Sequence, residues 1–213
     1  MNRSPSHIIH LSLMMIPLLL AGCAAPVKEQ PPSGFLSRYD QLEQTRDRFY
    51  EFYDPSLSSY KSFLIETPEI LFEVDPEQWS EEDLEEIKGY FVERLEKELT
   101  KDDGYAVVQQ PGPGVACLRV GLTALDASNG ALNLSIYTKI TGAGLGGAAM
   151  EAELVDTETG KQLAALLAWG NGSRVLRAGL TRLGDAKLQI NRWSAGLRKS
   201  LDALAEADTS AEI

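Results

Sequence analysis

Histidine is almost missing from this chain: two in 213 residues, His7 and His10, with none after them. From residue 11 onward, that excludes Ser-His and Cys-His nucleophilic catalysis and histidine-ligated zinc or haem. Cysteine is equally scarce, with Cys23 and Cys117 alone. Basic charge is in short supply, 20 Lys and Arg against 31 Asp and Glu, for a net of −11. Such a chain is a poor ligand for nucleic acid or anionic head groups. It also lacks a long apolar run. The segment Ile8 to Leu20 is apolar apart from His10 and Ser12, and Pro17 lies inside it. A spanning helix needs roughly 20 apolar residues and a signal-peptide core about 7–15, so this run fits export rather than spanning.

What the chain does have begins at the end of that run. Leu20-Ala21-Gly22-Cys23 resembles a bacterial lipobox, with small residues before the cut and the cysteine that takes the lipid. The simpler alternative is an ordinary secretory signal with Cys23 there by accident. Cys23 is expected to be lipidated, because leucine, two small residues and cysteine stand together at the correct distance. Ala24 follows where, in lipoproteins generally, aspartate favours inner-membrane retention, so the expected address is the outer membrane. Loss of residues 1–22 leaves 191 residues, enough for one sizeable domain, with a net charge of −12. Multiple acyl chains hold without electrostatic help, at about 0.8 kcal/mol per buried CH₂. With Cys23 acylated, Cys117 is the one free thiol and no internal disulfide forms. It lies in an alternating apolar run and reads as strand filler rather than a nucleophile.

Ala24 to Gly34 (AAPVKEQPPSG) is Pro-rich and reads as a tether, with a polyproline reach of roughly 34 Å at about 3.1 Å per residue. The expected division is 1–22 signal peptide, 23–34 lipidated cysteine and tether, 35–205 a single domain, and 206–213 a frayed tail. Tyr50, Phe52, Tyr53 and Tyr60 are expected to pack at a domain edge rather than form an aromatic ligand platform. Ser62–Glu66 is β-prone; Pro68 interrupts it and Ile70–Val74 resumes. Ser80 with Asp83 resembles a capping box opening a helix whose apolar face is Leu84, Ile87, Phe91, Leu95 and Leu99. Lys101 lies in its last turn, and Gly104 reads as its stop. Glu85, Glu86, Glu93, Glu96 and Glu98 lie outside the stripe as a solvated face, with acidic docking as the alternative.

Tyr105–Gln109 reads as a short strand, and Gln110–Gly114 as a turn. Ala116 to Ala124 alternates as a half-buried strand. Asn129-Gly130 is a hairpin signal, with a further strand through Leu132, Leu134 and Ile136. Gly142 to Gly147 contains the letters of a dinucleotide motif, but a strand-like run follows where the helix should be, so it reads as a loop. Glu151 and Glu153 share one face of that run and are expected to face solvent rather than form an acid/base pair. Asp156–Gly160 is a tight turn returning through Gln162–Trp169. Asp185 can cap a last helix carrying Ile190, Trp193, Leu197, Leu201 and Leu204.

Several short segments together are similar to an uncharacterised family of bacterial envelope lipoproteins, domain-of-unknown-function family 3313. They are Ser33-Gly34-Phe35-Leu36-Ser37, Tyr53-Asp54-Pro55 with Tyr60-Lys61, and Gln110-Pro111-Gly112-Pro113. To these add Glu151 to Asp156 with Thr159-Gly160, and Gly184-Asp185-Ala186 before Trp193. They span most of the mature chain, and their order carries the resemblance. It implies a Proteobacterial lipoprotein and supplies no catalytic residues.

The element order predicts an α/β (α+β) two-layer sandwich: a mixed, mostly antiparallel sheet with two amphipathic helices on one face. The expected role is a non-catalytic module that binds or positions an envelope protein partner, held to the membrane through Cys23. An accessory lipoprotein of a transport system is the alternative; an enzyme working with carboxylates alone would need two buried in a deep pocket. No cofactor, metal or nucleic acid is expected. Residues 73–103 hold thirteen acids and four bases, whereas residues 172–201 hold seven bases and one acid. This segregation fits two helical regions lying side by side, or two faces with different partners. On the second reading Arg174, Arg177 and Arg182 dock an anionic envelope component or an acidic protein.

Overall fold

A computed structural model describes residues 32–126, 147–171 and 183–211. Cys23, Arg174, Arg177, Arg182, the Asn129-Gly130 hairpin, the strand expected through Leu132–Ile136 and all but the last residue of the glycine run lie outside them. The strands are β1 (Glu43–Arg46), β2 (Phe49–Tyr53), β3 (Ser62–Ile65), β4 (Glu69–Ile70), β5 (Ala106–Val108), β6 (Val115–Asp126), β7 (Gly147–Asp156) and β8 (Gln162–Asn171). The helices are α1 (Glu81–Thr100) and α2 (Gly184–Ala211).

One sheet takes seven of the strands in the order β1-β2-β8-β7-β6-β3-β5, with β4 paired to β6. The pairings from β1 through to β6 are antiparallel; β6-β3, β3-β5 and β4-β6 are parallel. The parallel neighbours β3 and β5 are joined through α1, as expected of a helix between two strands. Pro68 separates β3 from β4, and both pair with β6, so the interruption breaks the strand without moving it off its partner. The architecture is the expected mixed sheet with two helices.

Alternation along the strands sends every second side chain to the helices. Leu118, Val120 and Leu122 of β6 and Met150 and Leu154 of β7 are buried with Ile87, Phe91, Leu95 and Leu99 of α1. Ile190, Trp193 and Leu201 of α2 complete that core, with Trp193 stacked on Phe91 at 6.4 Å between ring centres. Helix α1 starts at the predicted capping box: Asp83 donates its N–H to Ser80 Oγ, and Ser80 returns its own to the Asp83 carboxylate.

Three local expectations change. Gly104 stands at the expected stop, after a 3₁₀ turn Lys101–Asp103 that follows α1, but its φ is −70° and the positive φ angles fall on Asp102 (54°) and Asp103 (53°). Asp185 lies within the first turn of α2 rather than before it, because the helix starts at Gly184. Residues 206–211, expected to fray, continue the last helix, with exposed side chains from 206 to 210. None of the described helices is long and apolar enough to cross a membrane.

Candidate functional site

The side of the sheet away from the helices is also covered, and this overturns the reading of Glu151 and Glu153 as solvent-facing. Both are fully buried, with relative exposures of 0% and 1%. The cover is the segment 33–39, which takes in Ser33 and Gly34, the last two residues of the stretch expected to be tether. Glu151 accepts from the Ser33 amide at 2.7 Å, the Ser33 hydroxyl at 2.8 Å and the Tyr39 hydroxyl at 2.5 Å. Two positions along β7, Glu153 accepts from the Ser37 amide at 2.8 Å and the Ser37 hydroxyl at 3.0 Å. Gln162 and Arg119 add donors to Glu153 at 2.9 and 2.7 Å. Glu–x–Glu on a strand places both carboxylates on one face, and Ser–x–x–x–Ser on the crossing segment brings an amide and a hydroxyl to each. The burial of two carboxylates is tolerable because every one has several directed donors.

Apolar contacts seal this latch. Leu36 is buried, and Phe35 and Leu71 close over Gly121, where a Cβ would stand 2.3 Å from Leu71 Cδ1 and 3.1 Å from Phe35 Cγ. The Arg119 guanidinium lies 5.1 Å from the centre of the Phe35 ring. Tyr39 donates to Glu151 while receiving the amides of Gly34 and Leu36, and burial with that carboxylate raises its pKa. The chain is therefore bolted to the sheet from Ser33, which leaves nine residues, 24–32, between Cys23 and the latch.

The segments that resemble the family are corner posts of the same framework. Asp54 caps the 3₁₀ turn Pro55–Ser59 and pairs with Lys161 at 2.8 Å; the Lys161 and Ser56 contacts lower its pKa to about 2. Asp156 gathers the amides of Glu158 and Thr159, the Thr159 hydroxyl and the Tyr60 hydroxyl. Burial, with the Asp156 bond second, pushes Tyr60 up to about 12. The Thr157 hydroxyl ties the Pro-Gly turn by receiving the Gly112 amide at 3.1 Å and donating to the Gly112 carbonyl at 2.9 Å. Cys117 is buried, and burial together with the Glu66 carboxylate, which its Sγ approaches at 3.3 Å, raises its pKa to about 12. A thiol so held is not a nucleophile at neutral pH.

The acidic helix α1 and the last helix α2, whose four bases are matched by four acids, lie side by side. Lys187 of α2 pairs with Glu86 of α1. Arg198 of α2 donates through Nη1 to the carbonyls of Glu98, Leu99 and Lys101 at the end of α1. Lys187 thus neutralises an acid of α1, whereas Arg198 caps the end of α1 and pairs with Asp202 of its own helix. Tyr50 packs on Trp169 at the β2 edge, with ring centres 6.0 Å apart. Among the described residues, no three His, Cys, Asp or Glu side chains cluster as metal ligands.

Comparison with known proteins agrees on the family. The profile of the family described as "Protein of unknown function (DUF3313)" matches residues 31–197, so the chain belongs to that family. No curated protein matches it. Among solved structures, the PelC dodecamer from Paraburkholderia phytofirmans is similar at 11% identity and a TM-score of 0.43, covering 69% of this chain and 96% of that one. A minor lipoprotein from Acinetobacter baumannii is similar at 12% identity and a TM-score of 0.36, covering 68% and 94%. Lipoprotein GNA1162 from Neisseria meningitidis is similar at 15% identity and a TM-score of 0.33, covering 53% and 81%.

Proposed function

We propose that this member of the DUF3313 family is a lipid-anchored envelope lipoprotein with a non-catalytic domain that positions a partner near the membrane. The observation that carries the reading is the continuity from Cys23 through a short tether into the latch on Glu151 and Glu153. A lipobox sets the anchor, nine residues set the reach, and the segment 33–39 is fastened to the centre of the sheet. Force or position at the membrane is thus transmitted to the sheet rather than dissipated in a floppy linker. The buried carboxylates support the non-catalytic reading, since their lone pairs are occupied by strap donors, Gln162 and Arg119.

Ala24 favours the outer membrane as the address, with the domain facing the periplasm. The test is Cys23→Ala with radiolabelled palmitate and envelope fractionation. The variant is expected to lose the label and accumulate as precursor. Undiminished labelling would overturn the anchor, and Ala24→Asp should move the unaltered anchor toward the inner membrane.

A further inference from the structure

A second feature lies on the opposite side of the sheet from the latch. Beneath α2, along the β2 edge, is a cavity of about 680 Å³, within the range of ligand sites. Phe49, Tyr53 and Leu166 of the sheet and Trp193 and Leu197 of α2 wall it, and Phe91 of α1 closes its depth. Among the described residues the lining is mostly apolar, with Gln189, Ser200 and Glu153 as polar groups on its walls and a mouth carrying Arg46, Arg48, Arg192 and Lys199. Glu51 also lines it, paired with Arg46 at 3.4 Å, and Arg48 is balanced by Asp47 at 3.3 Å. Arg192 and Lys199 are exposed and have no ion-pair partner among the described residues, on a chain whose net charge is −11.

Gly196 adds an independent observation. It lies inside α2 and lines the cavity, and a Cβ there would meet nothing within 4 Å. Glycine inside a helix is less stable than alanine, and here neither a close approach nor a positive φ requires it. What its lack of a side chain does is keep the cavity open beside Trp193 and Leu197.

We infer that this cavity binds the hydrocarbon chain of a long-chain fatty acid, with the carboxylate held at the mouth by Arg192 and Lys199. An apolar slot under a cationic rim matches an anionic amphiphile by both burial and charge. A nucleotide would have to seat a polar base and sugar against walls that are mainly aromatic and aliphatic among the described residues, and a cationic ligand would meet two unbalanced bases. The site is distinct from the anchor, because it lies on the helix side of the sheet and of the latch residues only Glu153 also borders it.

The test uses the full chain in zwitterionic nanodiscs, with 9,10-dibromostearate as the probe and its methyl ester as the neutral comparator. Chain recovered without lipid is assayed in solution, so failure of the anchor and failure of the cavity are read separately. Bromine in the cavity quenches Trp193. Saturable quenching at micromolar dibromostearate is expected, with the ester at least tenfold weaker. Gly196→Leu should abolish quenching while leaving the melting temperature unchanged or higher. The exposed double change Arg192→Glu with Lys199→Glu should weaken the acid at least tenfold and leave the ester unaffected. No quenching of the unaltered chain, full quenching of Gly196→Leu, or equal affinity for acid and ester would overturn the proposal.

Discussion

The guanidinium of Arg198 sits where a helix end and a glycine meet. The last carbonyls of α1 have no partners within the helix, and Arg198 supplies donors to three of the carbonyls at that end while its Nε holds Asp202 at 2.9 Å. Gly104 leaves the room: a Cβ there would stand 2.3 Å from Arg198 Nη1. The Tyr105 and Gly104 amides also reach the Leu99 and Lys101 carbonyls, so Arg198→Ala should cost about 2 kcal/mol, the scale of lost charged hydrogen bonds, measured by denaturant unfolding. An unchanged midpoint would show that water replaces the arginine. Two tyrosines make a separate prediction. Burial, with Asp156 and Asp202 as the further causes, pushes Tyr60 and Tyr105 up to about 12. Their folded pKa exceeds the ordinary value of 10.0, so their stabilisation is complete below pH ~10 and is lost as pH rises toward about 12. An alkaline unfolding series should show that fall, and Tyr60→Phe should reduce its steepness. At this scale the sequence showed Gly104 beside the helix end but not its purpose, since Arg198 comes from another helix and only the fold brings it there.

The strap 33–39 is the element that sequence patterning misjudged. In β7, Met150, Ala152 and Leu154 alternate with Glu151 and Glu153, and alternation identifies a buried face without saying what covers the other. The glutamates become internal because a segment over a hundred residues away lays its serine donors on them, a pairing no local period encodes. The available signal was the spacing of Ser33 and Ser37 ahead of Tyr39, which presents hydroxyls at intervals suited to two carboxylates on one strand. The helices were plain from their 3.6-residue stripes, and α1 from its capping box, because those features are local. The latch predicts that Ser33→Ala with Ser37→Ala removes hydroxyl bonds worth about 1–3 kcal/mol apiece. Amide exchange at Leu36 should then speed up at least tenfold while α1 keeps its protection. Equal exchange in both proteins would mean that the strap is held by Phe35 and Leu36 alone.

For the whole molecule, the layers divide the work. The helix side holds the core and the cation-rimmed cavity, and the opposite side receives the chain arriving from the tether. Charge segregation reads partly as internal neutralisation, through Lys187 with Glu86 and Arg198 at the end of α1. Fold class was readable from element order; the proposed address rests on five residues, Leu20 to Ala24, because peptidase, lipid and sorting chemistry act on local sequence. The partner was not, because docking depends on surfaces assembled from distant segments. The central claim is that Cys23 is the first residue of the mature chain and bears lipid. Intact-mass and amino-terminal peptide mass spectrometry of the protein from bacterial envelopes tests it directly. The expected result is a peptide starting at Cys23 with the added mass of acyl chains on its diacylglyceryl thioether; an unmodified cysteine, or a mature terminus elsewhere, would contradict lipid anchoring.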